Sequence, residues 1–279
     1  MLEAIYVIGV VLVLYLVAIM PRMFCKPDDS ALRGWYYAHR GLHDNGSTAP
    51  ENSLPAFRLA VENGYGIELD VQLTKDKKVV VFHDNTLKRV CGIDAKVNSF
   101  TYEELLQFPL FGTEERIPLF SQVLQVIGGK VPIIMEIKMV DSKTTVCRLA
   151  DEVLQGYNGV YCMESFHPLA VYWYKRHRPE VIRGQLSAVF CREGEQTTFS
   201  MEIVQNLLTN FLAKPDFVAY SHKGAGNPAR QICRYLYRNL SVAWTIRSEQ
   251  ELKEAEKKFD LFIFEGFRPD PNSASGRSL

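Results

Sequence analysis

Two acidic residues stand inside a strand-like run that otherwise offers nothing to water, Gly66-Ile67-Glu68-Leu69-Asp70-Val71. Ile67, Leu69 and Val71 alternate with the carboxylates, so a strand here turns its aliphatic side chains to one face and both acids to the other. Such a strand is buried only where the acidic face meets compensating charge, because an unpartnered carboxylate in an apolar interior is costly. A solvent-facing acidic pair is the alternative, and the aliphatic neighbours argue against it. The mouth of a parallel α/β barrel meets the requirement, since the polar ends of its strands converge there.

The same pattern recurs. Short apolar runs at 35–38, 79–82 and 131–137 lead into His39-Arg40-Gly41, His83-Asp84 and Glu136-Ile137-Lys138. Beyond Gly128-Gly129, runs at 159–163, 181–186, 217–220, 241–245 and 261–264 alternate with helical patterns at 143–155, 168–177, 198–212, 228–238 and 249–258. Alternation of this kind predicts α/β architecture with a parallel sheet. A length of 279 residues suits one barrel of about 250 residues, and the predicted fold is a TIM-type (β/α)8 barrel over 35–269. Between 85 and 126 the alternation lapses. That stretch carries a capping signal at Ser99 or Thr101 before Glu103-Glu104 and a break at Phe108-Pro109.

The residue types at the strand ends suit one chemistry. Glu68 and Asp70 offer two oxygen ligands to a hard divalent cation, and Glu136, which ends an equally apolar run, offers a third. His39 and His83 can serve as general base and general acid, histidine being the side chain whose ordinary pKa lies near neutrality. A satisfied core histidine is the alternative for each. Arg40 presents a planar fork to a phosphate oxygen. Lys138 shares a strand face with Glu136, and either neutralises phosphate or forms a structural ion pair with that glutamate.

In this order, His39-Arg40-Gly41, Pro50-Glu51-Asn52-Ser53, Glu68-Leu69-Asp70, His83-Asp84 and Glu136-Ile137-Lys138 resemble the glycerophosphodiester phosphodiesterases. The resemblance runs from Trp35 to Pro269. It implies that Glu68, Asp70 and Glu136 hold one Mg²⁺ or Ca²⁺ ion and that His39 and His83 are the acid-base pair. It also implies that 85–126 is a small insertion against the barrel mouth. Phe166 and Trp244 then form an aromatic wall for the substrate; both are also good core residues. One departure stands out. Relatives commonly carry a Thr-Asn or Thr-Asp turn after the last strand, where this chain has Phe264-Glu265-Gly266-Phe267-Arg268-Pro269.

The implied activity is metal-dependent hydrolysis of glycerophosphodiesters to an alcohol and glycerol phosphate, on a small-molecule or lipid-derived substrate. The rivals are a phospholipase C- or D-like enzyme acting on lysophospholipids and a catalytically silent membrane-tethered binding module. Charges balance at 32 against 32, which leaves no basic face for nucleic acid. The six cysteines are scattered without a Cys-x-x-Cys pair, as expected of free thiols.

Residues 1–24 read as a transmembrane anchor. The uncharged run 4–20 is at the short end of the ~17–25 residues that span a bilayer. Only Glu3 is charged before it, and no small-residue cleavage site follows, which argues against a signal peptide. Arg22, Lys26 and Arg33 lie after the run and predict a single-pass protein with its catalytic domain in the cytoplasm. Residues 25–34 read as a polar linker and 270–279 as a frayed tail.

Overall fold

The computed structural model describes residues 1–194 and 196–275. Among them are nine strands: β1 (Tyr36–His39), β2 (Gly66–Leu73), β3 (Val79–Val81), β4 (Ile133–Ile137), β5 (Tyr161–Ser165), β6 (Arg183–Ser187), β7 (Phe217–Ser221), β8 (Leu240–Ile246) and β9 (Leu261–Phe264). Eight of them, all but β3, pair in parallel in the order β1-β9-β8-β7-β6-β5-β4-β2, and β1 pairs with β2 to close the barrel. Helices Leu54–Glu62, Phe120–Ile127, Thr145–Leu154 and Pro168–His177 fill the first four connections between barrel strands, and Glu249–Glu256 fills the last, between β8 and β9. The predicted TIM-type architecture is the one observed.

Strand alternation divides the core in two. Ile67, Leu69, Met135, Met163 and Val218 face outward and pack under Phe57, Phe120 and Tyr174 of the surrounding helices. Tyr37, Ile134, Cys162, Phe217, Val242 and Ile263 face inward and fill the lower barrel. Gly184 is required there, because a Cβ would lie 2.2 Å from the Phe217 ring. The floor is Leu32, whose carbonyl accepts a 2.7 Å hydrogen bond from the Tyr37 hydroxyl. The end of the expected linker is therefore part of the barrel.

Two other expectations need correction. The run at 79–82 is not a barrel strand: β2 continues past the mouth and β3 folds back antiparallel on it, pairing Val71 with Val81. The pattern of aliphatic residues is identical in the two cases, since a hairpin covered on both sides is as apolar as a barrel strand. Residues 85–119 build a small core of their own around Val80, Phe82, Leu87, Leu105 and Ile117. In it Thr101 and Glu104 form a reciprocal capping box at the start of Tyr102–Leu105. Finally, Pro271–Ser275 within the expected frayed tail is a short helix with Ala274 buried; 276–279 lie outside the described residues.

Helix Leu2–Ile19 has a mean hydropathy of 2.6 and is almost wholly exposed. Its length and composition fit a membrane span and a signal sequence alike. Its last turn is different. Ile19 is fully buried, its carbonyl accepts from Asn210 Nδ2 at 3.0 Å, and the Met20 carbonyl accepts from Lys214 Nζ at 3.0 Å. Arg22 donates to the carbonyls of Pro215 and Pro179, which precede β7 and β6. The helix thus joins the barrel at the end opposite the mouth.

Candidate active site

One step up each inward strand face, apolar residues give way to polar and charged ones: Tyr37 to His39, Gly66 to Glu68 and Asp70, Ile134 to Glu136 and Lys138, Cys162 to Glu164. Asp70 and Glu136 are in register on β2 and β4. Ligand atoms of Glu68, Asp70 and Glu136 all lie within 4.8 Å of one another, and all three residues are buried. The phenyl and indole of Phe166 and Trp244 meet edge to face at 5.6 Å. Both line, with His39, Arg40, Glu68, His83 and Glu136, a cavity of about 230 Å³. All nine side chains singled out in the sequence therefore gather at the mouth, Asp70 and Lys138 through their contacts with that lining.

The electrostatics are those of an acidic pocket short of countercharge. Burial, reinforced by Asp70 and Glu136, pushes Glu68 well above the usual carboxylate range. Burial also raises Glu136, against the pull of Lys138. Asp70 goes the other way: burial opposes its ionisation, but Lys138, His83 and Arg40 hold it well below. Lys138 Nζ sits 2.7 Å from Glu136 Oε1 and 3.1 Å from Asp70 Oδ1, so it is an ion-pair partner of the triad. Crowding of buried carboxylates around one lysine is the condition that a divalent cation relieves, and oxygen-only donors suit Mg²⁺ or Ca²⁺.

Each histidine has a carboxylate behind it. His39 Nδ1 lies 2.7 Å from Glu265 Oε2, and His39 Nε2 lies 3.9 Å from Glu68 Oε2. Burial, with the charge of Arg40, lowers His39 to about 4 although Glu265 opposes the shift. At Glu265, by contrast, burial is outweighed, and the His39 hydrogen bond holds the carboxyl at about 2. His83 Nδ1 lies 2.7 Å from Asp84 Oδ1. Phe82 donates its backbone N–H to the Asp70 carbonyl at 2.9 Å, and in this way the β3 hairpin lowers His83 over the triad.

Arg40 turns out to be as much a scaffold as a ligand. Its φ of 56° is left-handed, a conformation uncommon for a non-glycine residue that must be held by its surroundings. What holds it is its N–H to Glu68 Oε2 at 3.1 Å and its carbonyl to Asn52 N at 2.9 Å. Asn52, also left-handed, donates Nδ2 to Asp70 Oδ2 at 2.9 Å. Gly41 follows because a Cβ would lie 2.9 Å from the Ala56 backbone. The Arg40 guanidinium pairs with Glu51 at 2.8 Å and lies 3.6 Å from Asp70. Arg89, from the inserted segment, forks onto both Glu51 and Asp84 with four hydrogen bonds of 2.7 to 2.9 Å, joining the Arg40 loop to the His83 loop.

Sequence reasoning missed Glu164, Glu265 and Arg89. Glu164 carried the signal that identified Glu136, a carboxylate closing an apolar strand, and it is 1% exposed with Oε2 unpartnered. Glu265 showed only as a departure from an expected turn. Arg89 had no local signal, because its partners are 5 and 38 residues away.

Comparison with known proteins agrees with this geometry. A family model described as the glycerophosphoryl diester phosphodiesterase family matches residues 39–258. A glycerophosphodiester phosphodiesterase of Caldanaerobacter subterraneus subsp. tengcongensis is 45% identical over 100 residues, 33% of this chain and 40% of that protein. Human glycerophosphodiester phosphodiesterase 1 is 32% identical over 163 residues, 52% of this chain and 46% of the relative. The matches thus span less than half of either relative. An Oleispira antarctica phosphodiesterase, solved with the product sn-glycerol-3-phosphate, superposes with a TM-score of 0.68 at 23% identity, over 87% of this chain and 96% of that one.

Proposed function

This chain belongs to the glycerophosphoryl diester phosphodiesterase family, and from that premise we propose that it hydrolyses glycerophosphodiesters to an alcohol and glycerol phosphate. The observation that carries the reading is the buried triad Glu68, Asp70 and Glu136 flanked by two carboxylate-backed histidines. A module that only binds has no need of two oriented imidazoles at one mouth. Glu68, Asp70 and Glu136 would hold one Mg²⁺ or Ca²⁺ ion, which when bound polarises a phosphoryl oxygen and offsets charge on it.

The remaining work falls to the chain's own groups. His39, neutral near pH 7 because burial holds it at about 4, takes the proton of the attacking water through Nε2 while Glu265 fixes its tautomer. His83, aimed by Asp84, gives a proton to the departing alcohol oxygen. Arg40 and Lys138, already beside Asp70, supply positive charge to the phosphate. Phe166 and Trp244 form an apolar wall, and Trp244 Nε1 is a buried donor without a protein partner.

We also read Leu2–Ile19 as a retained single-pass anchor with the barrel on the cytoplasmic side. Supporting this, Ile19, Met20 and Arg22 are packed into the barrel, and the flanking charge lies after the helix. The deciding experiment is hydrolysis of glycerophosphocholine by the full chain with Mg²⁺, with Ca²⁺ and with EDTA. Cation-dependent release of glycerol phosphate is expected; full turnover in EDTA refutes the assignment.

A further inference from the structure

The segments that hold the end of helix Leu2–Ile19 each carry a large apolar side chain that the barrel leaves in the open. Helix Asn210–Ala213 binds the Ile19 carbonyl through Asn210, and the neighbouring Phe211 is 53% exposed. Helix Ile232–Leu236 reaches the same carbonyl through Cys233 Sγ at 3.4 Å, and Tyr237 just beyond it donates to the Leu16 carbonyl at 2.9 Å. Tyr235 and Leu236, between those two contacts, are each 61% exposed. Phe24, two residues after the Arg22 that is tied to Pro215 and Pro179, is 84% exposed. Single exposed apolar residues are ordinary on a protein surface, but a group of them on the segments around one apolar helix marks an interaction site. Among the described residues, Phe199 is the only other large apolar side chain outside the helix that is more than half exposed.

The charge around these side chains is basic. Asp216 is paired with Arg22 and Arg183, Asp260 with Arg234, and Glu180 with Arg178. Arg238, directly after Tyr237, and Arg176, directly after the Lys175 that binds the Leu212 carbonyl, are exposed and make no ion pair among the described residues. Aromatic and aliphatic side chains with surplus arginine suit the head-group layer of a bilayer, where rings sit at the interface and cations meet anionic lipid. Continuity with a helix of mean hydropathy 2.6 selects a bilayer over a protein partner. We propose that the base of the barrel docks on the bilayer surface through Phe24, Phe211, Tyr235, Leu236, Arg176 and Arg238. The mouth, at the opposite end, then opens toward water and takes its diester from solution. This rests on the reading of Leu2–Ile19 as a retained anchor and adds a fixed orientation of the barrel to it.

The test uses the full chain in nanodiscs of phosphatidylcholine, with or without phosphatidylserine, that carry a nitroxide on the lipid head group. A fluorophore is attached either to Cys191, which is exposed and follows the Phe190 of the cavity wall, or to a cysteine introduced by Leu236→Cys, the other exposed cysteines being replaced by serine. Strong quenching at position 236 and little at 191 is expected. In discs with phosphatidylserine, Arg176→Gln and Arg238→Gln should each lower the docked-to-undocked ratio, read from the fluorescence decay at 236, by roughly fivefold, the equivalent of about 1 kcal/mol per basic side chain at an anionic surface. Without phosphatidylserine the same changes should have little effect. Phe211→Asp combined with Tyr235→Asp should remove the difference between the two positions, with circular dichroism confirming that the variant is folded. Equal quenching at the two positions, or stronger quenching at 191, in a chain that stays in the disc overturns the docked base alone. A chain that leaves the disc overturns the anchor reading and the docked base together.

Discussion

Replacing Glu265 by Gln is the sharpest probe of how the mouth works, because Glu265 touches a histidine proposed as catalytic and no proposed ligand of the cation. The side chains meet at 2.7 Å, Glu265 Oε2 to His39 Nδ1. A hydrogen bond to a charged partner is worth about 1.5–3 kcal/mol. Glu265 is 26% exposed and shared with Arg247 at 3.3 Å, so solvent and the second cation reduce that value. The lower half of the range corresponds to a roughly 10- to 50-fold loss in kcat/KM. KM should hardly move, since Gln keeps an acceptor in place and loses only the charge that stabilises the imidazolium formed in the transition state.

The pH profile distinguishes this role from a structural one. Glu265 is among the groups that raise the His39 pKa, against burial and Arg40. With its charge removed, His39 is protonated less readily and the acid limb of kcat/KM moves to lower pH. Steady-state assays of glycerophosphocholine from about pH 3 to 8, on wild type and E265Q, supply both numbers. A variant with wild-type kcat/KM and an unmoved acid limb would refute the argument that His39 works through Glu265.

Other outcomes follow from the same contacts. His39→Ala and His83→Ala should each lower kcat by ~10²–10⁴-fold with circular dichroism unchanged; unfolding with normal activity per folded molecule would make them core histidines. In the cation-free protein, burial and the neighbouring Asp70 and Glu136 favour protonation of Glu68, which an entering cation opposes. Cation affinity should therefore rise with pH and calorimetry in buffers of different ionisation enthalpy should detect proton release; buffer-independent heats would contradict the crowded-carboxylate reading. His39 at about 4 when folded and about 6.5 when unfolded means that the unfolded chain binds the extra proton between those values, so stability rises with pH across that window. The contribution is at most about 3 kcal/mol, read as the difference in urea midpoints between wild type and H39Q, and a pH-independent difference would count against it. Deleting residues 1–14 should leave Tm unchanged, whereas deleting 1–26 removes buried Ile19 and the Arg22 contacts and should cost about 2–5 kcal/mol; equal Tm values would show that the helix end does not brace the barrel.

The readable parts of the site were those in which one strand states the problem by itself. Ile67, Leu69 and Val71 around Glu68 and Asp70 say, without any other residue, that two carboxylates face inward together. The same logic holds for Ile134, Glu136 and Lys138. Where two segments must meet, the local pattern was silent. Leu32 reads as linker because its burial comes from Tyr37 and the strand starts above it. Val79–Val81 reads as a barrel strand because alternation cannot report whether the neighbour runs parallel or antiparallel.

That distinction also explains why the mouth is assembled from loops of unequal kinds. The triad and Lys138 need fixed spacing, and β2 and β4 supply it through a register that pairs Asp70 with Glu136. A base and an acid acting on one phosphate, the roles proposed for the two histidines, must approach it from different sides, which strands of one parallel sheet cannot arrange alone. His39 comes from the end of β1, but His83 arrives on a hairpin that reverses direction, and its position is fixed only when Asp84 is tied through Arg89 to Glu51 and so to Arg40. The insertion thus closes a circuit of alternating charge from one histidine loop to the other. A substitution at Arg89, 43% exposed and outside every recognisable motif, would loosen both loops at once, and that places the insertion within the catalytic unit rather than beside it.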